Sequence, residues 1–298
     1  MPSAELLALN ETLRSQLAQT PPDLSWAEQR AGYETLGDLF PAAAGVAAEP
    51  LTLGGVPAVR FSGAGADAAR AVLYFHGGGY CTGAIVTHHA ITSRIALEAG
   101  CPVVALDYRL APESPFPAPV EDAVAAYRAM LDGGLAPERI VFAGDSAGGG
   151  LTVAAMLAAR EAGLPLPAAG VPISPWVDLT GELGWGAADA AVDPMVRHDD
   201  LHRMTAAYMA GGDPRHPHAA PVFGDLAGLP PLLIQVGTAE ILLADAQVLA
   251  ERAREAGVAV TLEVEEGAPH VWHHFVPTIP EAVSAIARIG AFVRSHTS

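Results

Sequence analysis

Gly144-Asp145-Ser146-Ala147-Gly148 stands between an apolar run, Ile140-Val141-Phe142-Ala143, and a small-residue, helix-like run from Gly149 to Ala162. A serine flanked by glycines on a strand-to-helix turn reads as a nucleophile elbow. Such a turn is strained and crowded, and a Cβ on a flanking residue would collide with the neighbouring strand or helix. In a chain with 31 glycines a G-x-S-x-G can also arise by chance, so the reading depends on its surroundings. Those surroundings are His76-Gly77-Gly78-Gly79 upstream, and Glu240 and His270 downstream.

Ser146 as a nucleophile needs a base, a carboxylate to orient that base, and donors for a developing oxyanion. His76-Gly77-Gly78-Gly79 follows an apolar strand-like run, Ala71–Phe75. Successive glycines let backbone N–H groups turn toward one point, so Gly77 and Gly78, with Ala147, are the predicted oxyanion donors. His76 sits inside that loop and is read as a brace. His270, directly after the last strand-like run, is the predicted base, ahead of His273 and His274. In this order of triad the acid lies between serine and histidine. Glu240, at the end of the run Leu232–Val236, is preferred to Asp245, one helical turn further on. A glutamate suffices, because the role is to accept the His270 Nδ1–H and stabilise imidazolium. Tyr80, Trp176, Trp185 and Trp272, with Phe275, are candidates for the substrate pocket. Asp145 is read as a loop-holding group.

Strand-like runs occur at 51–53, 58–61, 71–75, 103–106, 140–143, 171–173, 232–236 and 258–264. Helical patterns span 5–19, 26–40, 86–99, 118–132, 147–162, 241–256 and 280–294. Strands alternating with helices predict an α/β fold: a mostly parallel eight-stranded sheet with helices on both faces. Residues 183–222 break the rhythm with Trp185, Met195, Met204, Tyr208 and a proline-rich stretch. They are read as an inserted helical segment that, with 1–45, forms a small helical cap over the sheet's C-terminal edge. The catalytic domain is then 46–182 and 223–298. Ligands of open α/β sheets bind at that edge.

The 298 residues are 51% hydrophobic with only 6% aromatics, enough for one large core filled mainly by alanine, leucine and valine. All 16 basic residues are arginine, against 33 acidic ones, for a net charge of -17. Nucleic acid and anionic membrane surfaces are poor partners for such a chain. The absence of lysine excludes Schiff-base chemistry, a P-loop lysine and Ser-Lys dyads. Cys81 and Cys101 have no C-x-x-C spacing, and no signal-peptide pattern or membrane-length apolar run occurs, so a reduced, cytoplasmic protein is expected. His198 and His202 have helical i, i+4 spacing, and His216 and His218 lie nearby, but no further ligand pattern supports a metal. They are read as solvated or packing histidines. No metal is expected.

The set His76-Gly77-Gly78-Gly79, Asp107-Tyr108-Arg109-Leu110-Ala111-Pro112-Glu113 and Gly144-Asp145-Ser146-Ala147-Gly148-Gly149 resembles the hormone-sensitive-lipase-like family of α/β-hydrolase esterases. The resemblance runs from about residue 45 to 295. It implies a carboxylic ester hydrolase for short- to medium-chain acyl esters, acting without cofactor through an acyl-enzyme. It implies a cap of N-terminal helices and an insertion, and places Ser146 and His270 at the nucleophile and base positions. It further implies that Asp107 and Arg109 tie down loops, and that a homodimer can form along the last strand. The family's acid motif is Asp-Pro-Leu-x-Asp, whereas this chain has Glu240-Ile241-Leu242-Leu243-Ala244 before Asp245. Lactone, amide or acetyl-ester hydrolysis would use the same groups. The plant gibberellin receptors that resemble this family lack the base histidine, which is present here. A prolyl-oligopeptidase architecture lacks room for its propeller.

Overall fold

The computed structural model describes residues 1–189 and 192–298. Ala190 and Ala191, within the predicted insertion, lie outside the described residues. One sheet of eight strands carries the fold: β1 (Val46–Leu53), β2 (Val56–Gly63), β3 (Ala71–Phe75), β4 (Val103–Leu106), β5 (Ile140–Asp145), β6 (Ala169–Ile173), β7 (Leu232–Ala239) and β8 (Val260–Pro269). Their spatial order is β1-β2-β4-β3-β5-β6-β7-β8. β2 pairs antiparallel with both neighbours, and every other pairing is parallel. The central strands β3 to β6 are buried along their whole length, which explains their unbroken apolar runs.

Among the described residues the α-helices are α1 (Ala4–Gln19), α2 (Trp26–Leu39), α3 (His89–Ala99), α4 (Ala118–Asp132), α5 (Ala147–Glu161), α6 (His198–Met209), α7 (Leu243–Glu255) and α8 (Pro280–His296). Two apolar clusters show which face each covers. One unites Ile91 and Ile95 of α3, Ile286 and Ile289 of α8 and Leu6 of α1 with Val72, Tyr74 and Val141 of the sheet. The other unites Val120 and Tyr127 of α4, Leu151 of α5 and Leu249 of α7 with Leu73, Phe75 and Phe142. Alternate side chains of a strand point to opposite faces, so Leu73 and Tyr74 join different clusters.

The predicted strands and helices occur, with different limits at the edges. β1 begins at Val46 and β8 runs to Pro269. Both are edge strands that mix exposed and half-buried positions, so an apolar run alone does not delimit them. The helix predicted over 86–99 is a 3-10 turn, Val86–His88, followed by α3.

The N-terminal helices and α6 lie against each other. Arg203 of α6 stacks over Trp26 at 4.1 Å and donates to Leu24 O at 2.5 Å. Arg197 donates to the carbonyls of Leu17 and Thr20. α1 is also tied to the body: Ser3 caps it by accepting from Leu6 N, and its own N–H and hydroxyl donate to Glu281. Asn10 Nδ2 donates to Gly267 O, beside the end of β8.

Candidate active site

β5 ends at Asp145, and α5 starts at Ala147, so Ser146 alone makes the turn. Its φ of 55° and ψ of -120° lie where L-residues are strained. The surroundings hold it there. Its N–H donates to Ile173 O at 2.9 Å, and its carbonyl accepts from Gly150 N and Trp176 N at 3.0 and 2.9 Å. The flanking glycines are a steric requirement. A Cβ on Gly144 would lie 2.3 Å from Gly148 O, and one on Gly148 would lie 2.0 Å from Phe75 O. Ser146 is partly exposed between otherwise buried neighbours.

The next three strand ends bring the polar partners. Ser174 follows β6, Glu240 follows β7, and His270 follows β8. Glu240 Oε2 lies 2.8 Å from His270 Nδ1. Its other oxygen accepts from Ser174 Oγ at 2.9 Å and from Gly237 N at 2.5 Å. Ser174 Oγ in turn accepts from Val271 N at 3.2 Å, so one hydroxyl braces both carboxylate and histidine loop. Asp193 accepts from Ile241 N at 3.0 Å and fixes the segment beyond Glu240. Glu240 is 2% exposed and His270 7%. Burial alone would disfavour the charged ring, but the Glu240 hydrogen bond and charge, helped by Asp193 and Asp145, outweigh it and raise the His270 pKa. With Nδ1 committed to Glu240, Nε2 is the nitrogen left for proton transfer. Ser146 Oγ forms no hydrogen bond to it as the side chains stand; such contacts commonly tighten only with substrate in place.

Asp245 does not meet the histidine. Its Oδ2 accepts from Val177 N and Asp178 N, both at 3.0 Å, and so holds the segment after β6. Burial pushes the carboxyl up to about 8, against the lowering effect of the backbone N–H groups of Val177, Asp178 and Trp185.

The glycine loop corrects one expectation. Gly77 N–H does not face the elbow hydroxyl; it donates to His88 Nε2 at 3.2 Å. A histidine eleven residues away captures it, and sequence spacing does not announce that. The amides of Gly78, Gly79 and Ala147 have no acceptor among the described residues. Loop and elbow are in close contact, since a Cβ on Gly77 would lie 3.1 Å from Ser146 Cβ and 2.3 Å from Asp145 Oδ2.

The predicted pocket aromatics are also corrected. Tyr80, Trp176, Trp185 and Trp272 are all 0% exposed. Trp176 and Trp185 both donate their indole N–H to Asp178 O, Tyr80 stacks on Tyr208 at 3.9 Å, and Trp272 lies in the α3–α8 core. A chain poor in aromatics spends them on the core, where each buries about 150–250 Å². Phe275 is buried in the same core as Trp272.

His273 and His274, ranked behind His270 as bases, are buried; burial pushes both down to about 3. His273 meets Gln235 Oε1 at 2.8 Å. Arg109 does tie its loop down, through a bidentate contact with Asp122 of α4 at 2.7–3.0 Å. The Asp107 side chain is exposed and makes no hydrogen bond among the described residues, while its backbone N–H donates to Pro57 O at 2.9 Å. Asp145 holds loops, as expected: Oδ1 accepts from Tyr74 O–H at 2.7 Å, and Oδ2 lies 3.2 Å from His88 Nε2.

His88, Asp145 and His274 are close enough to invite an ion, with ligand atoms within 4.8 Å of one another. Donors already occupy that space, because Gly77 N–H points at His88 Nε2 and Tyr74 O–H at Asp145. The other histidines are dispersed. His198 meets Trp185 O at 2.7 Å, His202 lies edge-on to the Trp185 ring, His216 lies beside Phe116, and His218 meets Glu161 at 3.0 Å.

No helix among the described residues is long and apolar enough to cross a membrane.

Known proteins resemble this chain in sequence and fold. A family model described as alpha/beta hydrolase fold matches residues 72–274. An acetyl-hydrolase of Streptomyces hygroscopicus is 52% identical over 228 residues, covering 76% of each chain. An esterase of Acinetobacter venetianus is 32% identical over 288 residues, covering 96% of this chain and 95% of its own. The crystal structure of an esterase from the bacterial hormone-sensitive lipase family matches with a TM-score of 0.95 at 47% identity, covering 100% of both chains. Fold, similarity and extent of match agree: this chain belongs to the hormone-sensitive-lipase-like esterases of the α/β-hydrolase family.

Proposed function

We propose that this ester hydrolase acts on short- to medium-chain acyl esters through Ser146, His270 and Glu240, with Gly78, Gly79 and Ala147 as oxyanion donors. The observation that carries this reading is the 2.8 Å contact between Glu240 Oε2 and His270 Nδ1, set at strand ends beside the strained elbow. His270 Nε2 takes the Ser146 proton as Oγ attacks the ester carbonyl. The carbonyl electron pair moves onto oxygen, where the unpaired amides receive it. Collapse expels the alcohol, which takes the proton from His270. Water, activated by the same nitrogen, then releases the acid. No cofactor enters these steps.

The 52%-identical relative is named an acetyl-hydrolase, and a short acyl group is carried to this chain on that basis. Residues 1–45 and 183–222 are read as a cap, supported by the Arg203–Trp26 and Arg197–Leu17 contacts. Two buried free cysteines agree with a reducing, cytoplasmic setting. β8 is an edge strand with Val264 exposed, and a second copy pairing along it is the oligomer to seek by sedimentation.

The test is a p-nitrophenyl ester series from acetate to dodecanoate, with one lactone and one amide. Turnover is expected to peak at the short esters. Ser146→Ala is expected to lose hydrolysis by about 10⁴-fold or more with its circular dichroism unchanged. Full turnover by that variant overturns the reading.

A further inference from the structure

His88 is 0% exposed, sits behind the elbow, and hydrogen-bonds to neither Ser146 nor His270. Its importance emerges from an account of the glycine loop's peptide groups, each of which must find a partner or face a ligand or water. His76 O accepts from Tyr108 O–H at 2.6 Å, and Gly77 O lies 2.7 Å from His76 Nδ1. Gly78 O accepts from Cys81 N, Thr82 N and Thr82 Oγ1. Gly77 N–H goes to His88 Nε2, while the amides of Gly78 and Gly79 remain. Three consecutive glycines have no side chains to hold their torsions. The planes that carry the Gly78 and Gly79 amides are held through Gly77 O and Gly78 O, and the plane that begins the turn, His76–Gly77, is held from outside the loop by Tyr108 at its carbonyl and His88 at its N–H.

The proton on His88 follows from its other nitrogen. Nδ1 lies 2.6 Å from Thr87 Oγ1 and 3.1 Å from Ala84 O. Thr87 Oγ1 gives its own proton to Ala84 O at 2.7 Å, so its lone pair faces Nδ1. This network assigns the proton to Nδ1 and leaves the Nε2 lone pair for Gly77 N–H. A proton on Nε2 would point at Asp145 Oδ2, 3.2 Å away, and leave Gly77 N–H without an acceptor.

We propose that His88 is a positioning residue for ester hydrolysis: held as the Nδ1–H form by Thr87 and Ala84, it pins the His76–Gly77 peptide, and that anchor, together with the hydrogen bonds on Gly77 O and Gly78 O, aims the Gly78 and Gly79 amides at the oxyanion. Donors fixed in advance need no reorganisation when charge develops, and loss of one such donor in other enzymes costs about 10²–10³-fold in rate. The inference rests on Ser146 being the nucleophile, as proposed above.

The test compares His88→Ala, His88→Gln and Thr87→Val with the unmodified chain, using p-nitrophenyl butyrate and a trifluoromethyl ketone that adds to the serine as a tetrahedral mimic. His88→Ala is expected to lower kcat about 10²-fold with KM within threefold, and to weaken the mimic by the same factor. Gln offers an oxygen to Gly77 N–H and is expected to regain at least tenfold in both. Thr87→Val removes the nearer of the two acceptors for Nδ1–H and leaves Ala84 O at 3.1 Å, and kcat and mimic affinity are expected to fall together. It also carries the test with His88→Gln if the alanine variant fails to fold. The proposal is overturned if His88→Ala keeps kcat within threefold, if kcat falls while mimic affinity holds, or if Gln and Ala behave alike. Ester hydrolysis by the unmodified chain and its loss in Ser146→Ala test the reading of function separately.

Discussion

Two histidine–carboxylate pairs flank Ser146, one on each side along the sheet. His270 and Glu240 stand at the ends of β8 and β7, and His88 and Asp145 stand beyond β3 and at the end of β5. Both pairs are buried, yet their hydrogen bonding differs. Glu240 meets His270 at Nδ1, leaving Nε2 for exchange. His88 directs Nδ1 to Thr87 and Ala84, and its Nε2 accepts from Gly77 N–H, with Asp145 Oδ2 lying 3.2 Å away. The first ring is 7% exposed and the second sealed. Burial alone would raise the Asp145 pKa, but His88, His274 and the Tyr74 hydrogen bond hold it well below the usual carboxylate range. In the proposed reading, the same pair of residue types moves a proton in one place and holds a backbone in the other. Which it does depends on the ring nitrogen that meets the carboxylate and on what occupies the other.

The comparison breaks most sharply at Glu240. Glu240→Gln is expected to cut kcat by on the order of 10³–10⁴. His270 must be neutral to accept the Ser146 proton, and Glu240 raises its pKa, so kcat/KM of the unmodified chain should rise with pH through a value above the ordinary ~6.5. In Glu240→Gln that limb should move to lower pH. A limb that stays put in a pH–rate profile removes Glu240 from the pair.

The other carboxylate should answer in stability. Asp145→Asn removes the charge facing His88 while Tyr74 still donates to the remaining oxygen. About 1–3 kcal/mol is expected to be lost in urea unfolding. A variant as stable as the unmodified chain would show that this pair holds nothing.

Asp245 supplies the control, a buried carboxylate with no histidine. Its pKa of about 8 means that the folded chain keeps a proton that the unfolded chain releases above the ordinary ~4. Its contribution to stability therefore falls as pH rises between those values. Asp245→Asn should gain on the unmodified chain as pH rises through that window, by up to about 1.4 kcal/mol per pH unit, with ester hydrolysis retained. Equal pH slopes in urea titrations would contradict this. The smallest effect is expected from Tyr74→Phe, about 1 kcal/mol of stability for one buried hydrogen bond to Asp145.

Much of the site was legible because its chemistry is local in the chain. The elbow needs glycines at fixed offsets from Ser146, and the order serine, acid, histidine follows from strand order. The preference for Glu240 over Asp245 rested on its place at a strand end, and the hydrogen bond to His270 agrees with that placement. Ser174, Asp193 and His88 were missed. A lone serine after β6 and an aspartate before Pro194 carry no motif, and their contacts with the site run to groups 48–97 residues away. A non-glycine residue at positive φ marks Ser174 once coordinates exist, at 42°. The pocket aromatics were misplaced because an indole beside a site and one in the core look alike in sequence.

Local steric and alternation rules act on neighbouring residues, and so the chain alone determined the α/β class, the serine turn, and the acid–base order along it. The direction of the Gly77 N–H, the tautomer of His88 and the partner of Asp245 belong to the tertiary structure. A hydrogen bond depends on distances of a few tenths of an ångström between groups far apart in the chain, and only packing of the sheet and its helices sets those distances.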